Sequence, residues 1–335
     1  MSLDVLVPVE RRRRRRRRYR LRKLLPLLLV VLLAAGVGVW LGRRSADHHA
    51  AAKKPVHHAS HDRVTQTTPS PPPKPLRLLA GPPLLAGQPH GRVPAPTAIL
   101  VDAHTGRVLW AKRAHERRAI ASLTKIMTAV LALKEVPWWR TITVDKRVTA
   151  VPLVKEGLRA GERVRAWKLF YALLLYSGND DAAQLAISSA GSVHAFLRQM
   201  NDEARRLGLQ DTHFRSPSGV IDQGNYSTAW DLAALTRYAF RNPRFRRLVQ
   251  TKRIQVRWSA PTNSKIYLNN NWLLHEYHGA NGVKTGYTSK SGWCLVASAT
   301  RNGRKLIAVV LDDRNMYADA RTLLNFGFSR GSSTQ

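Results

Sequence analysis

The sequence has a single cysteine, Cys294, among 335 residues, which excludes an intramolecular disulfide and any zinc or iron–sulfur site built from several cysteines. Acidic side chains are scarce as well: 21 Asp and Glu stand against 55 Lys and Arg, a formal net charge of +34. That imbalance excludes an ordinary acidic cytosolic enzyme and at first suggests a polyanion such as nucleic acid as partner. Aromatic residues make up only 7% of the chain, yet 44% of it is hydrophobic, enough for a core and too much for wholesale disorder. Metal-ligand spacing is missing too, because His194, His213, His275 and His278 have neither helical i, i+4 pairing nor acidic partners nearby. No internal repeat is present.

What is there begins with the position of the charge. Residues 1–44 carry a net +11, residues 45–95 a net +4 and residues 96–335 a net +19. The densest run, Arg11 to Arg18 with Arg20, Arg22 and Lys23, is followed at once by the uncharged stretch Leu24 to Leu41. As a helix this stretch spans roughly 27 Å, close to the hydrocarbon thickness of a bilayer. Pro26, Gly36 and Gly38 are tolerated in lipid, and Trp40 suits the far interface. The positive-inside rule then keeps residues 1–23 in the cytoplasm and exports everything after Leu41. A cleaved signal peptide has the same polarity, but its apolar region is shorter and a small-residue cleavage site follows promptly; here Gly42-Arg43-Arg44 follows. The expectation is a single-pass cell-membrane protein with an extracytoplasmic catalytic domain, and no nucleic-acid partner for the Arg run, since topology and anionic lipid account for it.

Residues 42–95 lack hydrophobic periodicity and are rich in Pro, His and Ala, including Pro71-Pro72-Pro73-Lys74-Pro75, which reads as a disordered tether. Its histidines at 48, 49, 57, 58 and 61 have no fixed geometry to hold a metal. Regular structure is expected from 96 to 328, with a tail over 329–335. Ala98 to Asp102 and Val108 to Trp110 form a hairpin around His104-Thr105-Gly106-Arg107. A helical pattern runs from Ser122 through Leu133, further helices lie at about 167–176, 180–189, 192–207, 228–241 and 318–326, and strand-like runs follow at 281–287, 293–300 and 305–311. Two strands, then helices, then three hairpin-connected strands describe an α+β domain whose terminal segments share one antiparallel sheet. Cys294 falls in an apolar strand, as inert core.

Three short motifs carry chemistry. Ser122-Leu123-Thr124-Lys125 opens the first helix, where a spacing of three puts hydroxyl and amine on one face. A serine nucleophile needs an adjacent base, and a lysine serves once burial or nearby cations lower its pKa. Alone, such a tetrad is equally an N-cap serine beside a solvated lysine. Two further triples, Ser177-Gly178-Asn179 and Lys284-Thr285-Gly286, follow in the order and separation of the set known from class A β-lactamases and penicillin-binding proteins.

On these residues, with Ile120 to Thr128, Ser177 to Ala183 and Gly282 to Thr288 around them, the chain resembles the D-alanyl-D-alanine carboxypeptidase family of low-molecular-mass penicillin-binding proteins. Phe214 to Gly219 and Tyr226 to Ala229 are also similar, so the likeness covers about 96–328. It implies a β-lactamase/transpeptidase-like five-stranded antiparallel sheet flanked by helices, and no cofactor or metal. It also implies Ser122 as acylated nucleophile, Lys125 as its base, and Ser177 and Asn179 as proton relay and amide holder. Lys284 and Thr285 would bind the terminal carboxylate of a peptidoglycan D-Ala-D-Ala stem or the equivalent acid of a β-lactam. Gly286 would let the substrate lie against the edge strand, and the N–H groups of Ser122 and Tyr287 would form the oxyanion hole. Arg314 is a further candidate for the carboxylate, or a solvated loop arginine. Gly178 stands where the β-lactamase form has Asp, and no Glu-x-x-Leu-Asn deacylation signature lies between Ser177 and Lys284. The expectation is therefore a carboxypeptidase trapped by penicillin rather than a β-lactamase, with a crosslink-cleaving D,D-endopeptidase as the alternative.

Overall fold

The computed structural model describes residues 78–79, 88–89, 91–220, 224–258 and 263–329. The expected tail 1–23, the span 24–41 and most of the tether lie outside the described residues. Among the described residues no helix is long and apolar enough to cross a membrane.

Strands β1 (Thr97–Asp102) and β2 (Val108–Lys112) form the first hairpin. A 3-10 turn, Ala121–Thr124, leads into helix α1 (Lys125–Glu135). Short strands β3 (Thr141–Thr143) and β4 (Arg163–Arg165) pair before α2 (Ala166–Tyr171), whose last turn, Ala172–Tyr176, widens to π geometry. Helices α3 (Asn179–Ala190), α4 (Val193–Leu207), α5 (Ala229–Ala239) and α6 (Pro243–Gln250) follow. A ribbon, β5 (Arg253–Arg257) with β6 (Ser264–Leu268), and the short α7 (Leu273–Glu276) precede the final strands. These are β7 (Ala280–Thr288), β8 (Gly292–Arg301) and β9 (Arg304–Asp313), and α8 (Met316–Ser329) closes the domain, taking in Ser329, which the sequence assigns to the tail.

The main sheet has the order β2-β1-β9-β8-β7 and is antiparallel throughout. Its central strands are continuous apolar runs because both faces are covered. Ile99, Val101, Ile307, Val309 and Leu311 face the helices α1 to α6, while Ala98, Leu100, Leu306, Ala308 and Val310 face Leu323 and Leu324 of α8. Local chemistry sets the helix ends: Ser192 Oγ caps α4 by accepting from Ala195 N at 3.0 Å, and Thr228 Oγ1 caps α5 by accepting from Asp231 N at 3.0 Å. β7 is the sheet's edge, and the 3-10 turn of residues 121–124 packs on it. This contact brings together motifs more than 150 residues apart.

Candidate active site

Ser122 and Lys125 sit at the junction of the 3-10 turn and α1. The sequence places both on the first turn of an α-helix. In the observed 3-10 geometry residues three apart eclipse one another, and Lys125 Nζ comes to 3.0 Å from Ser122 Oγ. Two more groups hold the amine: Asn179 Oδ1 at 2.8 Å and the Ser218 carbonyl oxygen at 3.0 Å. The lysine is fully buried. Burial, and after it the charge of Lys284, hold its ammonium well below the ordinary lysine range.

A neutral amine has two N–H groups and one lone pair. Asn179 Oδ1 and the Ser218 carbonyl can only accept, so they take the two N–H groups. The lone pair is left for Ser122, the one partner of the three that can donate. Asn179 is oriented by its own amide, whose Nδ2 donates to the Pro152 carbonyl at 3.2 Å. The arrangement therefore gives proton transfer a direction, from the serine hydroxyl to the lysine.

Ser218 is a site residue that the sequence reading covers only within the likeness of Phe214 to Gly219. Ser216-Pro217-Ser218-Gly219 is pinned to the nucleophile's helix by Thr128 Oγ1, which donates to the Pro217 carbonyl at 2.6 Å, and by Asn225 Nδ2, which donates to Thr124 Oγ1 at 3.2 Å. Gly219 has φ +78°, and a Cβ there would stand 1.9 Å from the Ala121 carbonyl oxygen. The likeness over Phe214 to Gly219 covers this turn, but no residue type in it signals that a backbone carbonyl completes the lysine's shell.

Ser177 follows the widened last turn of α2 in the left-handed region, at φ 74°. A non-glycine there costs about 1–2 kcal/mol, and such strain collects at functional sites. Its Oγ is buried and has no hydrogen-bond partner among the described residues. Asn179 and Asp180 begin α3, and the Asp180 carboxylate accepts from Glu156 N and Gly157 N at 2.8 Å and from Leu158 N at 3.0 Å. This latch fixes the 152–158 loop, whose Pro152 carbonyl orients Asn179. Asp180→Ala should leave those N–H groups short of an acceptor and cost about 3 kcal/mol. An unchanged denaturation midpoint would contradict the latch.

From β7 come Lys284, Thr285, Gly286 and Tyr287. Lys284 is buried with Nζ donating to the Thr285 carbonyl at 3.0 Å, and burial lowers its ammonium to about 7. A Cβ at Gly286 would stand 2.9 Å from Ser122 N and 3.1 Å from Ala121 Cβ, so packing of the 121–124 turn on the strand also calls for glycine here.

In front of these groups lies a cavity of about 500 Å³, lined by Ser122, Ser177, Thr285 and Gly286 and walled by aromatic rings. Trp272, Tyr287 and Trp293 are 57%, 52% and 45% exposed, and Tyr287 and Trp293 lie 4.4 Å apart between centroids. The sequence reading did not single out the two tryptophans, because the chain positions that meet here are far apart. Arg314 is exposed in the link between β9 and α8, does not line this cavity and makes no hydrogen bond or ion pair among the described residues. Cys294 is fully buried in β8 with its thiol pushed up to about 12 by burial.

A serine hydroxyl beside the amine of a buried lysine, at the edge of an antiparallel sheet, is an arrangement in which a serine nucleophile can pass its proton to a lysine. The family profile described as D-alanyl-D-alanine carboxypeptidase, peptidase type S11, matches residues 85–315. The chain belongs to that family of serine peptidases. It is 35% identical over 269 residues to a D-alanyl-D-alanine carboxypeptidase of Streptomyces sp. strain K15, covering 73% of this chain and 92% of that one. It is 34% identical over 247 residues to D-alanyl-D-alanine carboxypeptidase DacF of Bacillus subtilis, covering 70% of this chain and 62% of the relative's length. Among solved structures, the Streptomyces K15 DD-transpeptidase superposes with a TM-score of 0.68 at 34% identity, over 71% of this chain and 98% of that chain. DacD from Francisella tularensis superposes at 0.67 with 26% identity, over 73% of each.

Proposed function

We propose that the protein is a membrane-anchored D-alanyl-D-alanine carboxypeptidase that removes the terminal D-Ala of peptidoglycan stem peptides through an acyl-enzyme on Ser122. The observation that carries this reading is the hydrogen-bond shell of Lys125, which leaves its lone pair for the serine. Ser122 Oγ attacks the carbonyl carbon of the penultimate D-Ala as its proton passes to Lys125. Collapse of the tetrahedral intermediate breaks the C–N bond, and the leaving amine takes a proton by way of Ser177 Oγ. Water then attacks the ester, returns a proton to Ser122 and releases the shortened stem. The N–H groups of Ser122 and Tyr287 stabilise the oxyanion, and Asn179 also meets the substrate amide. Lys284 and Thr285 receive the terminal carboxylate, and a β-lactam carboxylate takes the same place. Residues 24–41 hold the enzyme on the exterior face of the membrane.

Incubation of purified muropeptides with the full chain tests the reaction. Pentapeptides should lose one D-Ala by mass spectrometry; conversion of crosslinked dimers to monomers with pentapeptides untouched would replace carboxypeptidase by endopeptidase.

The two buried lysines set the pH dependence in opposite senses. Lys125 acts as the neutral amine, so activity rises as pH climbs through its lowered pKa. Lys284 acts as the cation, so kcat/KM should fall as pH climbs through about 7 in the free enzyme. Lys284→Arg keeps the charge at every working pH, and should move the alkaline limb of kcat/KM upward by more than one pH unit. An unmoved limb would assign it to another group.

A further inference from the structure

The cavity in front of Ser122 is larger and more apolar than the removal of alanine requires. Its volume of about 500 Å³ falls in the range that holds a drug-sized molecule, about 300–1,000 Å³, whereas a terminal D-Ala brings one methyl group beyond its backbone. Ten large hydrophobic side chains are exposed among the described residues, and five of them, Val154, Tyr176, Trp272, Tyr287 and Trp293, line this one cavity. Exposed apolar surface gathered in one concave place marks a binding site. No Asp, Glu, Lys or Arg is among the described residues that line it, although residues 96–335 carry a net +19.

The wall is preformed. Tyr317 Oη of α8 donates to the Asn270 carbonyl at 2.8 Å. Asn270 N donates in turn to the Leu175 carbonyl at 3.2 Å, and its Nδ2 to the Tyr176 carbonyl at 3.3 Å. These bonds tie α8, the segment before α7 and the last turn of α2 into one frame. From that frame Trp272 presents a half-exposed ring that rests on His275, with centroids 5.5 Å apart. On the sheet side, Trp293 lies opposite Tyr287 in register. A wall already held in place loses little conformational freedom when it is filled.

The catalytic groups at the cavity tell which part of the substrate it meets. Ser177 and Thr285 line it, whereas Lys125, Asn179 and Ser218 are not among its lining residues. In the proposed reaction Ser177 passes a proton to the leaving amine and Thr285 holds the terminal carboxylate, so both serve the residue that departs. The aromatic wall therefore stands beside the leaving residue.

We propose that this cavity is the subsite of the departing residue, and that it takes a D-amino acid with a large, uncharged, apolar side chain in preference to D-Ala. The inference rests on the proposed peptidase reaction and leaves its chemistry unchanged. The same C–N bond to the penultimate D-Ala breaks, the freed amine takes its proton by way of Ser177, and water resolves the same ester. A charged side chain would give up hydration against the rings without gaining a partner.

The test offers the full chain a set of Nα,Nε-diacetyl-L-lysyl-D-Ala-D-Xaa peptides, with D-Ala, D-Leu, D-Phe, D-Glu or D-Lys as the last residue, and follows the common product by mass spectrometry. Every peptide yields the same acyl-enzyme, so deacylation is shared and differences in kcat/KM belong to the leaving side. The D-Leu and D-Phe peptides should exceed the D-Ala peptide in kcat/KM about tenfold or more, the range that added apolar groups bring in a hydrophobic pocket. The D-Glu and D-Lys peptides should fall below it. Trp272→Ala and Trp293→Ala, made separately, should each remove most of the D-Phe preference. Trp139→Ala, exposed outside the cavity, should keep it. A D-Ala, D-Glu or D-Lys peptide cleaved as fast as the D-Phe peptide, or a preference that survives both cavity variants, overturns the subsite while the peptidase reaction stands. Cleavage of none of the peptides would overturn the reaction itself, and the subsite with it.

Discussion

Replacing Lys125 by Met should slow acylation of Ser122 by a fluorescent penicillin about 10²- to 10⁴-fold, the range of a lost positioned base. The argument rests on the count of donors and acceptors around Nζ. Asn179 Oδ1 and the Ser218 carbonyl take both N–H groups of the neutral amine, leaving the lone pair 3.0 Å from Ser122 Oγ. Met has nearly the length of Lys and fills the buried volume without a base. It deprives two acceptors of their donor, at about 1–3 kcal/mol, but it also relieves the desolvation of a buried amine, so the domain should stay folded. The acylation rate follows from the appearance of the covalent band with time. A rate within tenfold of the parent in a folded variant would mean that another group takes the proton.

Gly286→Ala should cost about 10²-fold in acylation with little change in far-ultraviolet circular dichroism. The added methyl would stand 2.9 Å from Ser122 N and 3.1 Å from Ala121 Cβ, and neither neighbour can give way independently. Ser122 belongs to a buried 3-10 turn that is packed behind against the Ser216–Gly219 turn, where a Cβ at Gly219 would already meet the Ala121 carbonyl. The displacement must therefore pass to the nucleophile, and a misplacement of about 1 Å is worth about 10²-fold. If the expected place of Gly286 against the substrate were the whole reason for the glycine, the variant would instead raise KM at unchanged kcat. Separate determination of the two constants with a D-Ala-D-Ala peptide distinguishes these outcomes.

Much of this was legible in the chain. The strands of the main sheet and the helices over 180–207 and 228–241 announce themselves by apolar content, Gly turns and caps, and the three motifs name Ser122, Lys125, Ser177, Asn179 and Lys284. Weakly apolar elements were not legible. The β5–β6 ribbon alternates Arg253, Gln255 and Arg257 with Ile254 and Val256 and buries only Val256 and Tyr267 among its members. Helix α6 holds its place through Phe245, Leu248 and Val249 between arginines, a stripe too thin to stand out. In the site, side-chain identity pointed to the chemistry, whereas the contributions of backbone and distance did not show. The Ser218 carbonyl has no residue-type signature, and the aromatic wall is assembled from positions 176, 272, 287, 293 and 317, which only the fold brings together.

The charge imbalance divides in the same way. In the proposed membrane anchor the run from Arg11 to Lys23 sets the topology, by its place before an apolar stretch. On the folded part, Arg237, Arg241, Arg246 and Lys305 show that some of the excess is gathered at one end of the sheet, which no count along the sequence would reveal.

The most direct test of the acyl-transfer site is intact-mass measurement of the full chain after brief exposure to benzylpenicillin, followed by peptide mapping. One adduct per chain is predicted, on the peptide containing Ser122, and none in Ser122→Ala. An adduct that persists in Ser122→Ala, or that maps to Ser177, would contradict the account.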